Sequence, residues 1–186
     1  TGNDHNIAVT NTNTNAATIN VTGADTNGDL TLSGVAASVT TIAAGSFAGD
    51  LVVNASARGS DAMTITAGTG ADTIAMENVA DVLTGGAGTV SDDLHVTFSG
   101  TGGAVVVDLS STTDQVTLFN GLANSAAQTG FEDIDLSAYT QTGSVGADIT
   151  GTTGANVIVG TGYADTIRGG AGDDIISGGV GADAIN

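Results

Sequence analysis

The chain has 186 residues and a formal charge of −18, set by 20 acidic side chains against two arginines, and it has no Cys, Pro or Trp. Disulfide stapling is excluded, and so large an excess of negative charge excludes attachment to nucleic-acid backbones or to anionic lipid through charge. Divalent cations are the natural counter-charge.

Glu77 and Glu132 are the sole glutamates and Arg58 and Arg168 the sole cations, so the acidity is almost all aspartate. Acidic chains with few aromatics are often disordered. Here a hydrophobic fraction of 40%, delivered in short runs of Ala, Val, Ile and Leu between Gly, Thr and Asn, argues for folding instead. Such small side chains fill a narrow interior. No apolar stretch approaches the roughly 20 residues that cross a bilayer. The basic-then-apolar start of a signal peptide is missing, and Thr1 in place of Met reads as a processed chain or a piece of a longer one.

In chain order, short β-prone runs recur every nine to twelve residues: IAVT, ATINVT, LTLSG, VTTIAA, LVVNAS, MTITAG, DTIAM, DVLTGG, DLHVTFSG, AVVVDLS, QVTLFNG, FEDIDLS, ADITG, NVIVG, DTIRGG and DDIISGG. Turn residues separate them, and no 3.6-residue apolar period lasts long enough for a helix. The Ala-rich stretch 122–129 is the one faint helical candidate. Evenly spaced short strands fit a sandwich, a barrel or a solenoid.

The last quarter decides between them. Residues 151–186 divide without remainder into the nonads GTTGANVIV, GTGYADTIR, GGAGDDIIS and GGVGADAIN. A coil that advances one strand and one turn per nonad must keep this phase, whereas a sandwich has no reason to. A looser set precedes it: AGTGADTIA (67–75), the degraded MENVADVLT (76–84), and GGAGTVSDDLH (85–95), with two extra residues before Asp92. The expected fold is an all-β, parallel β-solenoid (β-helix or β-roll), right-handed by the general preference of parallel crossovers. Four segments are read along it: a metal-poor stretch 1–62, a first set of calcium-binding coils 63–95, coils without glycine loops 96–150, and the nonapeptide roll 151–186.

The nonads follow G-G-x-G-x-D-x-U-x, with U a large aliphatic residue, a signature of calcium-binding β-helix repeats. Glycine permits the tight loop, position six adds a carboxylate, and position eight (Ile74, Leu83, Leu94, Ile158, Ile167, Ile176, Ile185) points inward. Calcium takes six to eight hard oxygen ligands, more than one such loop supplies. With two nonads per turn, Asp165 stacks on Asp183 and Asn156 on Asp174; with the insertion allowed for, Asp72 stacks on Asp92, and Asp81 meets whatever follows it. Carboxylates on strands about 4.8 Å apart repel by about 3.5 kcal/mol at an effective dielectric of 20. A bridging dication removes that cost, so the metal should be a condition of the fold. At millimolar calcium and affinities of roughly 10 to 100 μM, each site would contribute about 1.4 to 2.7 kcal/mol.

Residues 151–186, and less strictly 67–95, resemble the hemolysin-type calcium-binding (repeats-in-toxin, RTX) repeats. GFEDIDLSA (130–138) and VTTIAAGSFAGDLVVNAS (39–56) are similar to segments that lead into such repeats in large bacterial surface proteins. The resemblance implies type I secretion, a chain unfolded in low-calcium cytosol, and folding outside the cell. It also implies calcium held by Asp165, Asp174 and Asp183 with loop carbonyls such as those of Gly170, Gly172, Gly178 and Val180. Asn156 departs from the aspartate pattern and should mark a weaker site or a turn.

Other signals are weaker. Asp25, Asn27 and Asp29 alternate as at the start of an EF-hand loop, but Leu30 stands where glycine is needed and no acid closes the loop, which favours a turn. Asp133 and Asp135 alternate on a strand as on a solvated face, and His5 and His95 read as surface residues. No thiol, G-x-S-x-G elbow or H-E-x-x-H pair is present, so no enzyme is expected. The expected function is an extracellular or cell-surface structural protein whose identical subunits assemble into a lattice or filament, like surface-layer proteins, with cell-surface glycan as a further candidate partner. The alternatives are a segment of a calcium-dependent adhesin and the export tail of a secreted protease or lipase.

Overall fold

The computed structural model describes residues 5–8, 17–24, 26–55, 61–76, 78–96 and 103–186, and every regular element among them is a β-strand. The chain winds as the expected parallel β-solenoid with two facing walls. The first wall stacks β1 (His5–Ala8), β3 (Leu30–Ser33), β5 (Leu51–Asn54), β7 (Thr73–Met76), β9 (Asp93–Val96), β14 (Asp133–Asp135), β16 (Val157–Val159) and β18 (Ile175–Ser177), all parallel. The second wall begins with β2 (Ala17–Gly23), β4 (Val39–Phe47), β6 (Thr64–Thr66), β8 (Val82–Thr84) and β13 (Gln128–Thr129), also parallel. Parallel neighbours need a crossover connection. Here the strand on the opposite wall is that crossover, which is what makes each turn a coil.

Side chains alternate in and out along each strand, and the inward ones form continuous columns. In the first wall Leu32, Val53, Ile74, Leu94, Ile134, Ile158 and Ile176 lie in register, one above the next. All but Ile176 of the last coil are buried. Ile74, Leu83, Leu94, Ile158 and Ile167 are buried as their position-eight spacing implies, whereas in the last coil Ile176 is partly buried and Ile185 is exposed; nonad coils and glycine-poor coils share one core.

The middle of the chain departs from simple coiling. β10 (Val105–Asp108) is followed by β11 (Val116–Phe119) and β12 (Leu122–Ala123), each antiparallel to the one before. Asn120 and Gly121 make the tight turn between β11 and β12 with φ of 55° and 74°, the left-handed values a two-residue hairpin demands. β10 then pairs in parallel with β15 (Ala147–Thr150), which leads to β17 (Thr166–Arg168) and β19 (Ala184–Ile185). The Ala-rich stretch 122–129 holds β12 and β13 and is not helical.

The hairpin wedges extra strands into one wall only. In the first wall β9 meets β14 directly, Leu94 against Ile134. In the second, Gln115 bridges the gap, its amide donating to Gln128 O at 2.7 Å and its carbonyl accepting from Asp108 N at 2.8 Å. The three aromatics buried there, Phe119, Phe131 and Tyr139, are larger than any buried residue of the four C-terminal nonads; Phe119 meets Tyr139 edge to face at 5.2 Å between centroids. Two inward glutamines satisfy backbone groups that the interrupted ladders leave over. Gln115 Nε2 donates to Leu109 O and Phe131 O, both at 2.7 Å, and its Oε1 accepts Phe131 N at 3.0 Å. Gln128 Nε2 donates to Asp81 O at 2.6 Å, and Asn124 Nδ2 donates to Gln128 Oε1.

Replacing Gln115 by Leu keeps the volume but strands three buried backbone groups. We expect a stability loss on the order of 3 kcal/mol in urea unfolding with calcium present, against almost none for the exposed Thr112→Ala. Equal effects would show that the wedge does not depend on its glutamine.

Candidate metal centre

The acidic side chains singled out by spacing fall on the two edges where the chain turns from one wall to the other. On the edge entering the first wall, Asp72 Oδ1 accepts Leu51 N from the coil before at 2.8 Å, and its Oδ2 accepts Gly68 N of its own loop at 2.8 Å. Asp92 Oδ1 accepts Asp72 N at 2.9 Å, and Asp174 Oδ1 accepts Asn156 N at 3.0 Å. On the other edge Asp81 Oδ1 accepts Met63 N at 2.8 Å, Asp165 Oδ1 accepts Ala147 N at 2.6 Å, and Asp183 Oδ1 accepts Asp165 N at 3.0 Å. The structure thus brings together the three predicted pairs, Asp72 with Asp92, Asn156 with Asp174, and Asp165 with Asp183. Asp81 stacks over Met63 and under Gln128.

Spacing alone did not reveal three members of the first edge. Asp29 Oδ1 accepts Asp50 N at 3.2 Å, Asp50 Oδ1 accepts Ala71 N at 2.8 Å, and Glu132 Oε2 accepts Asp92 N at 3.1 Å. The recurring tripeptide Gly-Asp-Leu at 28–30 and 49–51 was the available signal for the first two. Glu132 carried none, because it lies 40 residues from Asp92, outside the nine-residue phase. Asp25 and Arg58 lie outside the described residues.

The nonad loops stack closely. A Cβ on Gly170 would overlap the carbonyl oxygen of Thr152, and one on Gly179 that of Thr161. Each of these glycines also has a left-handed φ, 101° and 89°, so no other residue suits either position. Asp174 and Asp183 fold back over their loops, with Oδ2 set against the place where a Cβ on Gly169 or Gly178 would stand. Among the described residues no hydrogen bond goes to the carbonyl oxygens of Gly170, Gly172, Gly178 or Val180.

No group of three or more His, Cys, Asp or Glu side chains converges as a metal cluster among the described residues. A cation here must therefore draw many of its ligands from backbone carbonyls. Carboxylates and carbonyls are both hard oxygens, the donor type calcium prefers, and the glycine cradles leave room for them. The residues present fit calcium.

Electrostatics point the same way for the earlier set. Burial pushes Asp72 up to about 6, against bonds from Leu51 and Gly68 amides that lower it. Burial pushes Asp92 up to about 7, aided by the charges of Asp72, Glu132 and Asp133. Asp93 rises to about 6 by burial and by Asp135 and Asp133, with His95 opposing. On the outer face of the first wall Asp93 and Asp133 stand in register, and His95 Nδ1 lies 4.0 Å from Asp135 Oδ2. Elsewhere Arg168 pairs with Asp148 at 2.6 Å on an exposed strand.

Residues 150–185 match the family model for the RTX calcium-binding nonapeptide repeat, in four copies. No curated protein and no solved structure matches the chain. The last coils are therefore RTX repeats, calcium is the ion such repeats bind, and proteins that carry them are typically secreted. No helix among the described residues is long and apolar enough to cross a membrane.

The raised aspartates give a pH test. Because Asp72 and Asp92 hold protons more tightly folded than unfolded, the folded state binds more protons between pH 4 and 7, and stability falls as pH rises through that window. In chelator, thermal melting followed by circular dichroism should show more stable structure at pH 5 than at pH 8. With millimolar calcium the order should reverse, since the ion needs ionised carboxylates.

Proposed function

We propose that this chain is a secreted structural protein that folds on meeting calcium outside the cell and assembles with copies of itself into a surface layer or extracellular matrix. The observation that carries this reading is the unbroken aliphatic column from Leu32 to Ile176, which makes the calcium repeats the continuation of one stack. An appended export tail would have no need to share its core with the coils before it. In this reading calcium draws on the carboxylates of Asp165, Asp174 and Asp183 and the carbonyls of Gly170, Gly172, Gly178 and Val180. Asp72 and Asp92 form a second acidic pair with the same chemistry. Asn156 stands where an aspartate would be charged.

The protein is proposed to act as a scaffold and not as an enzyme. Its sequence offers no thiol and no nucleophile elbow, and Arg168 is engaged by Asp148. A stalk segment of a calcium-dependent adhesin is the second reading, supported by the first wall of eight strands, a natural rigid spacer.

Circular dichroism during a calcium titration tests the folding claim. Strand signal should appear cooperatively between micromolar and millimolar calcium, with magnesium at the same concentrations a poor substitute. Electron microscopy tests the assembly claim: ordered sheets or filaments should form with calcium and vanish on chelation. Ordered assemblies that survive chelation would refute calcium as the scaffold, and a dispersed monomer at saturating calcium would leave the adhesin stalk as the better reading.

A further inference from the structure

The sheet order joins the mid-chain hairpin to the RTX segment. The first wall is one continuous sheet, but the second wall is two: β2, β4, β6, β8 and β13 form one sheet, and β12, β11, β10, β15, β17 and β19 form the other. β15 is in register with β10 on one side and with β17 on the other, so the hairpin and the last nonads share a hydrogen-bonded ladder. The base of the hairpin also leans on the earlier coils, where Gln115 N donates to Gln128 O and Gln115 Nε2 to Phe131 O. Its tip is held from the other side.

A run of contacts leads from that tip to the second nonad. Position four of a nonad is glycine in three of the loops, Gly154, Gly172 and Gly181, but it is Tyr163 in the second. The Tyr163 hydroxyl reaches out of its loop: it donates to Gln141 O at 2.6 Å and accepts Gln141 N at 3.1 Å, 22 positions back in the chain. Gln141 is buried, and its Oε1 accepts Gly103 N at 2.8 Å. Gly103 has a φ of 139° and lies so close to the hairpin turn that a Cβ on it would overlap Gly121 N and the Asn120 carbonyl. Next to it, Ala104 O accepts Gly121 N at 3.0 Å. Two residues before Gln141, Tyr139 sets its ring against Phe119, which closes β11 just before the turn.

We infer that Tyr163 is a positioning residue that couples the calcium-binding roll to the hairpin tip. When the second nonad is ordered, its hydroxyl fixes Gln141, Gln141 fixes Gly103, and the turn at Asn120 and Gly121 is held down. When the roll loosens, the tip loosens with it while Gln115 keeps the base in place. Calcium in the RTX segment thereby sets how firmly an edge strand with Leu122 66% exposed is presented to solvent. Such coupling needs an element whose equilibrium both ends bias, and the Gln141 segment, tied to the roll by its backbone and to the hairpin by its side chain, is that element. This rests on the calcium reading above and goes beyond it by naming the part of the chain that the roll controls.

Hydrogen–deuterium exchange of the full-length chain along a calcium titration, read peptide by peptide, tests the coupling. In the parent, β11 and β12 should gain protection at the same calcium midpoint as β17 to β19. In Tyr163→Phe the roll should keep its protection and its midpoint, while exchange at saturating calcium in peptides holding Gly103 and Gly121 rises by about fivefold, the size expected for one lost hydrogen bond. Gln141→Leu keeps the backbone tie to Tyr163 but removes the bond to Gly103, and should raise exchange in the same peptides and nowhere in the roll. Because both changes break one chain of contacts, the double variant should do no more than either alone. Unchanged hairpin exchange in a folded Tyr163→Phe chain would overturn the proposal, as would an equal rise across roll and hairpin or effects that add in the double variant. Should Tyr163→Phe fail to fold, Gln141→Leu decides, since an unchanged hairpin there breaks the chain. A parent roll whose protection ignores calcium would refute the calcium reading instead, and the comparison of variant with parent at one condition would still test the latch.

Discussion

Among the described residues, neighbouring coils of this solenoid are repeatedly tied by an acidic side chain that accepts a backbone N–H across the stack, and the same tie accumulates negative charge along the edge. From Asp72 to Asp183 the geometry repeats with little change. The tie is favourable because a buried amide without an acceptor costs about 1 to 3 kcal/mol. Its drawback is that the acceptors lie on adjacent strands, where like charges are poorly screened. Raised proton affinities at Asp72 and Asp92 come first from burial of the tie, with the charge of Asp50 beside Asp72, and those of Asp72, Glu132 and Asp133 beside Asp92, adding to it.

The chain resolves the conflict in different ways along its length. Asp72 and Asp81 each take a second amide from their own loop, through Gly68 N and Asn78 N, and Asn156 removes the charge altogether. In the RTX segment calcium is the remaining means. Such an edge is only partly self-sufficient. Protons and calcium then act as rivals for the same oxygens.

The wedge in the middle serves a different purpose. The coils on either side have mainly aliphatic interiors, with Phe47 buried in β4, while β10 to β13 add strands to one wall, and the extra space is filled by Phe119, Phe131 and Tyr139. Antiparallel strands inside a parallel wall leave backbone groups that cannot pair within it, and Gln115 and Gln128 are placed to take them. These buried glutamines are where the inward aliphatic column of the second wall gives way, Gln128 standing in register with Leu83.

The fold class, the inward residues of the nonads and the pairing of Asp165 with Asp183 were legible in the sequence, because a nine-residue period imposes one register on strand, loop and core alike. The reversal at Asn120-Gly121 was also written there, since that dipeptide between Phe119 and Leu122 is a strong hairpin signal, but the strand rhythm around it masked it. Glu132 beneath Asp92, and the partners of Gln115 and Gln128, were decided by tertiary structure alone. They join residues at irregular separations, 40 positions from Asp92 to Glu132 and 47 from Asp81 to Gln128. A sequence declares contacts that recur with a period; those created by an insertion depend on how far the inserted chain travels before it rejoins the stack, and only the folded coil fixes that distance.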